Sequence, residues 1–220
     1  MDTCSALRFV IIGHVDHGKS TLIGRLFHDT RSLPDGKYEQ LVAAAARRGV
    51  PFEFANLMDA LQAERDQNVT IDTAQIWFPW SGRGYVIIDA PGHKEFVKNM
   101  VTGASQADAA VLMVDVVEGV REQTRRHASL VKLLGLDQVL VVINKMDLVG
   151  YRRDRFETLA AQCRAFLAEC GLTPSGMLPL SASRGENVVT RSAPLSWYDG
   201  PTFVEALAEL RHADAPANQP

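Results

Sequence analysis

The 220-residue chain has little cysteine: Cys4, Cys163 and Cys170 only, with no C-x-x-C spacing among them. That argues against a zinc or redox role and for reduced, structural thiols. Cys163 and Cys170 lie about two turns apart on a predicted helix, so both are expected to face the core. No apolar run is long enough to span a bilayer and no signal-peptide pattern opens the chain, so a cytoplasmic protein without a membrane role is expected. Nor is there a basic stripe. Lys and Arg total 23 against 26 Asp and Glu, a net charge of −3, and no direct DNA binding is expected. No internal repeat is evident. What remains is an ordinary globular composition, 46% hydrophobic and 22% charged, long enough for one domain with a substantial core.

Strand and helix signals alternate. Apolar runs at Leu7–Ile12, Gln75–Phe78, Tyr85–Ile88, Ala109–Val114, Gln138–Ile143 and Met177–Leu180 predict strands. Helical patterns cover Ser20–Phe27, Tyr38–Arg48, Phe54–Arg65, Glu95–Thr102, Arg121–Leu134, Arg155–Cys170 and Thr202–Arg211. Turns or loops are expected at Ser81–Gly84, Glu64–Asp72 and Gly185–Pro201. The alternation predicts an α/β fold, a mainly parallel sheet with helices on both faces. The basic outer face of Arg121–Leu134 is expected to be a solvated surface.

Between the first strand and the first helix stands Gly13-His14-Val15-Asp16-His17-Gly18-Lys19-Ser20-Thr21. Strand, glycine-bounded loop and helix in that order make a phosphate-binding P-loop. Gly13 and Gly18 let successive N–H groups turn inward toward phosphate oxygens, and the helix adds the positive end of its dipole. Lys19 is placed for the β- and γ-phosphates, and the Ser20 hydroxyl for Mg²⁺. His14 and His17 are expected to shape the loop, since no third metal ligand of suitable spacing is visible.

Further signals fall at the carboxyl ends of predicted strands, where ligands bind in open α/β sheets. Asp89-Ala90-Pro91-Gly92 fits D-x-x-G, with Asp89 toward Mg²⁺ and the Gly92 N–H toward a γ-phosphate. Asn144-Lys145-Met146-Asp147 fits N-K-x-D. There Asp147 can accept from guanine N1–H and from its exocyclic amino group, while adenine offers neither donor, a difference able to discriminate by about 10⁴ or more. Asn144 would tie this loop to the P-loop, and the Lys145 stem would cover the base. Ser181-Ala182-Ser183 would complete the pocket with the Ala182 N–H on guanine O6. The three motifs in this order point to GTP rather than ATP. Thr70, between P-loop and D-x-x-G, can ligate Mg²⁺ only while the γ-phosphate holds its loop, an order–disorder switch. His93, next to Gly92, is placed to position an attacking water.

These residues resemble the translation-factor class of GTPases, from Leu7 to about Arg211. GHVDHGKST, DAPGH and NKMD match that class as they stand, and the resemblance narrows to two relatives: elongation factor 1-alpha and the GTPase large subunit of bacterial ATP sulfurylase. Both share the paired-helix insertion, Glu64–Asp72, Lys98-Asn99-Met100, Thr102–Ser105 and Trp197–Pro201. Leu26–Thr30, Leu61–Gln67 and Gln123–His127 look more like the sulfurylase subunit, whereas His14–His17 and the run from Asp89 to Met100 have the elongation-factor form.

The resemblance implies a P-loop NTPase G domain over residues 1–211 that hydrolyses GTP to GDP with Mg²⁺. Residues 212–220 then form a linker toward β-barrel domains absent from this chain. The reading favoured here is a sulfurylase large subunit, coupling GTP turnover to adenosine 5′-phosphosulfate synthesis on a small-subunit partner. The alternative is a translation factor carrying aminoacyl-tRNA or a release factor to the ribosome. One departure stands out: Asn68 precedes Val69-Thr70 where the class has glycine. A GTP-binding module with a frozen switch is the third possibility.

Overall fold

In the computed structural model, which describes residues 6–57, 60, 75–88 and 107–212, the apolar runs become a sheet flanked by helices. The order is β1 (Leu7–Gly13), α1 (Lys19–Asp29), α2 (Lys37–Arg47), β2 (Gln75–Trp80), β3 (Arg83–Ile88), β4 (Ala109–Asp115), α3 (Glu122–Leu133), β5 (Val139–Asn144), α4 (Arg153–Glu169), β6 (Pro174–Pro179) and α5 (Phe203–Glu209). The strands lie side by side as β2-β3-β1-β4-β5-β6. Every neighbouring pair is parallel except the β2–β3 hairpin. The expected α/β architecture is therefore present.

Period-two geometry divides each central strand between two cores. Val10 and Ile12 of β1, Leu112 and Val114 of β4, and Val141 and Ile143 of β5 meet Val131 of α3 and Phe156, Cys163 and Phe166 of α4. Phe9 and Ile11, Val111 and Met113, and Val142 face the other way, against Leu22 and Phe27 of α1 and Phe203 and Leu207 of α5. Because both faces are covered, these strands read as continuous apolar runs rather than as alternation. Each fully buried Leu or Phe contributes about 1.5–3 kcal/mol of transfer free energy. Residues 54–57 and 60 are helical, and Gly24 of α1 admits them closely, since a Cβ there would stand 2.1 Å from the Phe54 carbonyl oxygen.

One expectation about the hairpin is corrected. The predicted four-residue turn is a two-residue one: Ser81 and Gly82 both take positive φ, 47° and 79°, a type I′-like pair that suits strand twist and leaves Arg83 and Gly84 in β3. The region 185–201 is a loop as expected, without an α-helix or a strand of the sheet. It contains a short 3₁₀ turn at Ala193–Leu195 and isolated bridges joining Glu186 to Ser181 and Thr190. Both cysteines face the core as expected: Cys163 is buried, and burial pushes its thiol up to about 12, while Cys170, half-buried at the end of α4, packs against the same core. The expected helix at 95–102 and loop at 64–72 lie outside the described residues.

On α3, Arg126 pairs with Glu122 at 2.5 Å and Arg125 with Glu169 at 3.0 Å. All four side chains are exposed, so solvent screening leaves such pairs worth about 0–1 kcal/mol, and this face is a solvated one. The end of α5 is strapped to the sheet. Gln138 donates to the carbonyl oxygens of Asp108 at 3.0 Å and Arg211 at 2.6 Å, and accepts from the Arg211 N–H at 2.9 Å. Arg83 donates to the carbonyls of Ala208 and Leu210. Among the described residues no helix is long and apolar enough to cross a membrane.

Candidate nucleotide site

Gly13 ends β1, and the chain turns through Val15 and Asp16, both exposed, before α1 begins at Lys19. The two glycines are required by close approach. A Cβ on Gly13 would stand 2.5 Å from the Met113 carbonyl oxygen, and one on Gly18, at φ 90°, 2.4 Å from Asn144 Nδ2. Both lie far inside van der Waals contact. The N-terminus of α1 has no side-chain cap and no acidic residue in its first turn, whereas α2, α3, α4 and α5 each carry one there. Among α1–α5, the positive end of the α1 dipole is thus the one that no carboxylate on its own first turn offsets, which suits an anion. Lys19 Nζ arches back over the loop to the carbonyls of Gly13 at 3.0 Å and His14 at 2.7 Å. Ser20 is exposed in the first turn of α1 and Thr21 half-buried beside it.

The second half of the site comes from the ends of β5 and β6. Asn144 is buried and bonded on both sides: Nδ2 donates to the His17 carbonyl at 2.9 Å, and Oδ1 accepts the Ala182 N–H at 3.0 Å. One amide therefore joins the P-loop to the loop after β6. The Ala182 N–H, expected on guanine O6, is spent on Asn144 in this structure, because a buried N–H must find an acceptor and Oδ1 is adjacent. Lys145 takes φ 64° and sends Nζ to Asp115 Oδ2 at 2.8 Å. Asp147, on the 3₁₀ turn Met146–Val149, accepts from Ser181 Oγ at 2.5 Å, and Ser181 lies 3.2 Å from exposed Ser183 Oγ. Backbone bonds from Met146 N to Leu180 O and from Leu180 N to Ile143 O bind the two loops together.

Asp115 was not singled out from the sequence, yet it supports the site. At the carboxyl end of β4 and buried, it accepts from the N–H groups of Val117 (2.7 Å) and Glu118 (3.2 Å) besides Lys145. Burial alone would raise its pKa. The Lys145 hydrogen bond, the two backbone donors and the lysine charge outweigh burial and hold it below the ordinary carboxylate value. A lone acid closing the apolar run Ala109–Val114 was the available signal.

His17 is fully buried, its Nδ1 at 3.1 Å from the Met113 carbonyl. Burial lowers its pKa, with His14 adding to the effect, although the Met113 bond, Asp115 and Glu118 pull the other way. Nε2 stands 3.4 Å from Glu118 Oε2 without hydrogen-bond geometry. Because burial prevails, His17 is neutral and this approach is not an ion pair. His14 meets Gln123 Oε1 of α3 through Nδ1 at 2.5 Å. Both histidines thus have protein partners, and among the described residues no group of three His, Cys, Asp or Glu could hold a metal. Thr70, Asp89, Gly92 and His93, like Asn68, lie outside the described residues.

The family model described as the elongation factor Tu GTP binding domain matches residues 5–212. Elongation factor 1-alpha of Pyrococcus furiosus is 47% identical over 217 residues, 97% of this chain and 50% of the relative. That of Thermococcus celer is 46% identical with the same coverage. The crystal structure of sup35 complexed with GDP superimposes with a TM-score of 0.67 at 28% identity, covering 94% of this chain and 45% of that one. The chain spans about half the length of the curated relatives it matches.

Proposed function

The chain belongs to the family of elongation factor Tu GTP-binding domains, and we propose that it is the GTP-hydrolysing switch of a translation factor of the 1-alpha type. GTP and GDP are the nucleotides of this family, generally used with Mg²⁺. The observation that carries the reading is the Asn144 amide, which bonds the phosphate loop at His17 and the base loop at Ala182 together. One ligand with a phosphate end and a guanine end fits across that joint.

In this reading residues 13–21 cradle the phosphates, Lys19 neutralises charge on the β- and γ-phosphates, and Asp147, held by Ser181, reads the guanine edge. Lys145, fixed by Asp115, lays its stem along the base, and Ser181–Ser183 close the pocket. The Ala182 N–H reaches guanine O6 by exchanging its Asn144 acceptor. Ser20, Thr70 and Asp89 supply oxygen donors of the kind Mg²⁺ prefers. When bound, Mg²⁺ offsets charge on the phosphates. The Gly92 N–H meets the γ-phosphate, and His93 orients the attacking water. Thr70 releases its loop after hydrolysis.

The partners in this reading are the ribosome and aminoacyl-tRNA or a release factor, in the cytoplasm. The 1-alpha relatives support it over the sulfurylase assignment favoured on sequence alone. The sulfurylase large subunit is the second reading, kept by Leu26–Thr30 and Gln123–His127. GTP turnover separates them. Acceleration by ribosomes with aminoacyl-tRNA is expected. Acceleration only by a sulfurylase small subunit with ATP and sulfate would overturn the translation reading.

A further inference from the structure

The turn that carries Asp147 is bounded by left-handed residues on both sides. Lys145 precedes it at φ 64°, and Gly150 and Tyr151 follow at 61° and 56°. For residues other than glycine this conformation costs about 1–2 kcal/mol, so it persists where neighbours hold it. The leading side is held by the Lys145–Asp115 pair at 2.8 Å. The trailing side is held from a distant segment. The Tyr151 N–H bonds the Met146 carbonyl at 2.9 Å, and the Tyr151 carbonyl accepts from Trp197 Nε1 at 2.8 Å.

Trp197 is itself wedged. Its ring tilts against Phe156 of α4 at 5.5 Å between centroids and meets Tyr198 edge-on at 6.2 Å, while Tyr198 also contacts Phe156. The Tyr198 hydroxyl donates to the Met177 carbonyl of β6. The indole donor is therefore anchored to both the helix and the strand that flank the base loops. The Tyr151 phenol is half-buried, and its electrostatic neighbours include Asp147, Glu186, Arg184 and Ser181. Two of these, Asp147 and Ser181, form the 2.5 Å pair at the heart of the proposed guanine reader.

We infer that Tyr151 and Trp197 are positioning residues for guanine recognition, the indole N–H fixing the trailing end of the Asp147 turn as Lys145–Asp115 fixes its leading end. The inference rests on the GTP reading proposed above. Neither residue touches the nucleotide in this scheme. Together they set where the Asp147 carboxylate points, so their loss weakens both of its guanine contacts, the one to N1–H and the one to the exocyclic amino group.

The test compares GDP with inosine diphosphate, whose base keeps N1–H and lacks that amino group. In the 220-residue protein, Trp197→Phe keeps an aromatic ring beside Phe156 and removes the N–H, and Tyr151→Phe removes only the phenol hydroxyl. For Trp197→Phe, GDP affinity should fall about 3- to 10-fold, the range of one net hydrogen bond. Inosine diphosphate, which offers Asp147 the N1–H alone, should lose less, so the ratio between them shrinks. Tyr151→Phe should shrink the ratio in the same direction and, as the smaller change, serves if the tryptophan variant does not fold. A merely structural role would lower both affinities by the same factor and leave the ratio unchanged. An unchanged ratio in the folded variants overturns the inference. If the unaltered protein does not prefer GDP to inosine diphosphate, the guanine-site reading itself fails.

Discussion

Asn144→Ala isolates the joint on which the site is built. The wild-type amide satisfies two backbone groups from different loops, the His17 carbonyl at 2.9 Å and the Ala182 N–H at 3.0 Å. Asn144, His17 and Ala182 are all buried, so truncation leaves an acceptor and a donor with no ready water. Each unsatisfied buried group costs about 1–3 kcal/mol. Two would give about 2–6 kcal/mol, and partial relaxation places the expectation near 3 kcal/mol. For a domain of this size that corresponds to a fall of roughly 6–12 °C in Tm. Urea denaturation of the nucleotide-free protein measures it directly. Asn144→Asp is the control. It keeps an acceptor for Ala182 but presents a carboxylate oxygen to the His17 carbonyl, and so should also destabilise. A loss below about 0.5 kcal/mol for Asn144→Ala would refute the reasoning, since the two loops would then be held by something other than this amide.

Asp147→Asn preserves an Oδ1 acceptor for Ser181, so the loop should stand while preference shifts from guanosine toward xanthosine triphosphate; competition binding with the two nucleotides checks this, and continued strict guanine preference counts against the pocket. His93→Ala should slow single-turnover GTP hydrolysis by about 10²-fold or more while sparing GTP affinity, and equal loss of both would make His93 structural. His17 predicts a pH dependence. Its folded pKa lies below the ordinary 6.5, chiefly through burial, so above pH 6.5 it is neutral folded or unfolded and exacts no penalty. Below 6.5 the unfolded chain takes up the proton first, and stability declines, by up to about 1.4 kcal/mol per pH unit, until the pH passes the folded value. Urea midpoints at pH 7.5 and 5.5 should therefore converge for His17→Asn relative to wild type, and an identical pH response in both proteins would contradict the assignment.

What could be read from the sequence was what local order encodes. The strands surfaced because burial on both faces demands uninterrupted apolar runs such as Ala109–Val114, and the P-loop and the Asn144–Asp147 loop because their spacing is fixed by strand ends. What could not be read depends on residues far apart. Asp115 accepts from its neighbours Val117 and Glu118, but its tie to the base loop comes from Lys145, thirty residues on by their numbers, and nothing beside it in the chain marks that pairing. The Ala182 N–H was assigned outward to a base, but the fold brings Asn144 Oδ1 to it first. Cys170 packs against the core as helical spacing suggests, but only in part, because it caps α4 rather than lying within it. The strand start at Arg83 was hidden because Ser81, not a glycine, accepts the first positive φ of the hairpin.

The strap at the end of α5 has a mechanical consequence. Gln138 grips Arg211 through both its amide nitrogen and its oxygen, and Arg83 grips the carbonyls of Ala208 and Leu210. Gln138 leads into β5 and Arg83 opens β3, strands that run on to the opposite end of the sheet, where β5 delivers Asn144. A pull applied at Arg211 is therefore borne by the sheet rather than by unwinding the last turn of α5, and the hydrogen-bonded strands connect that point to the loops at the far end of the sheet.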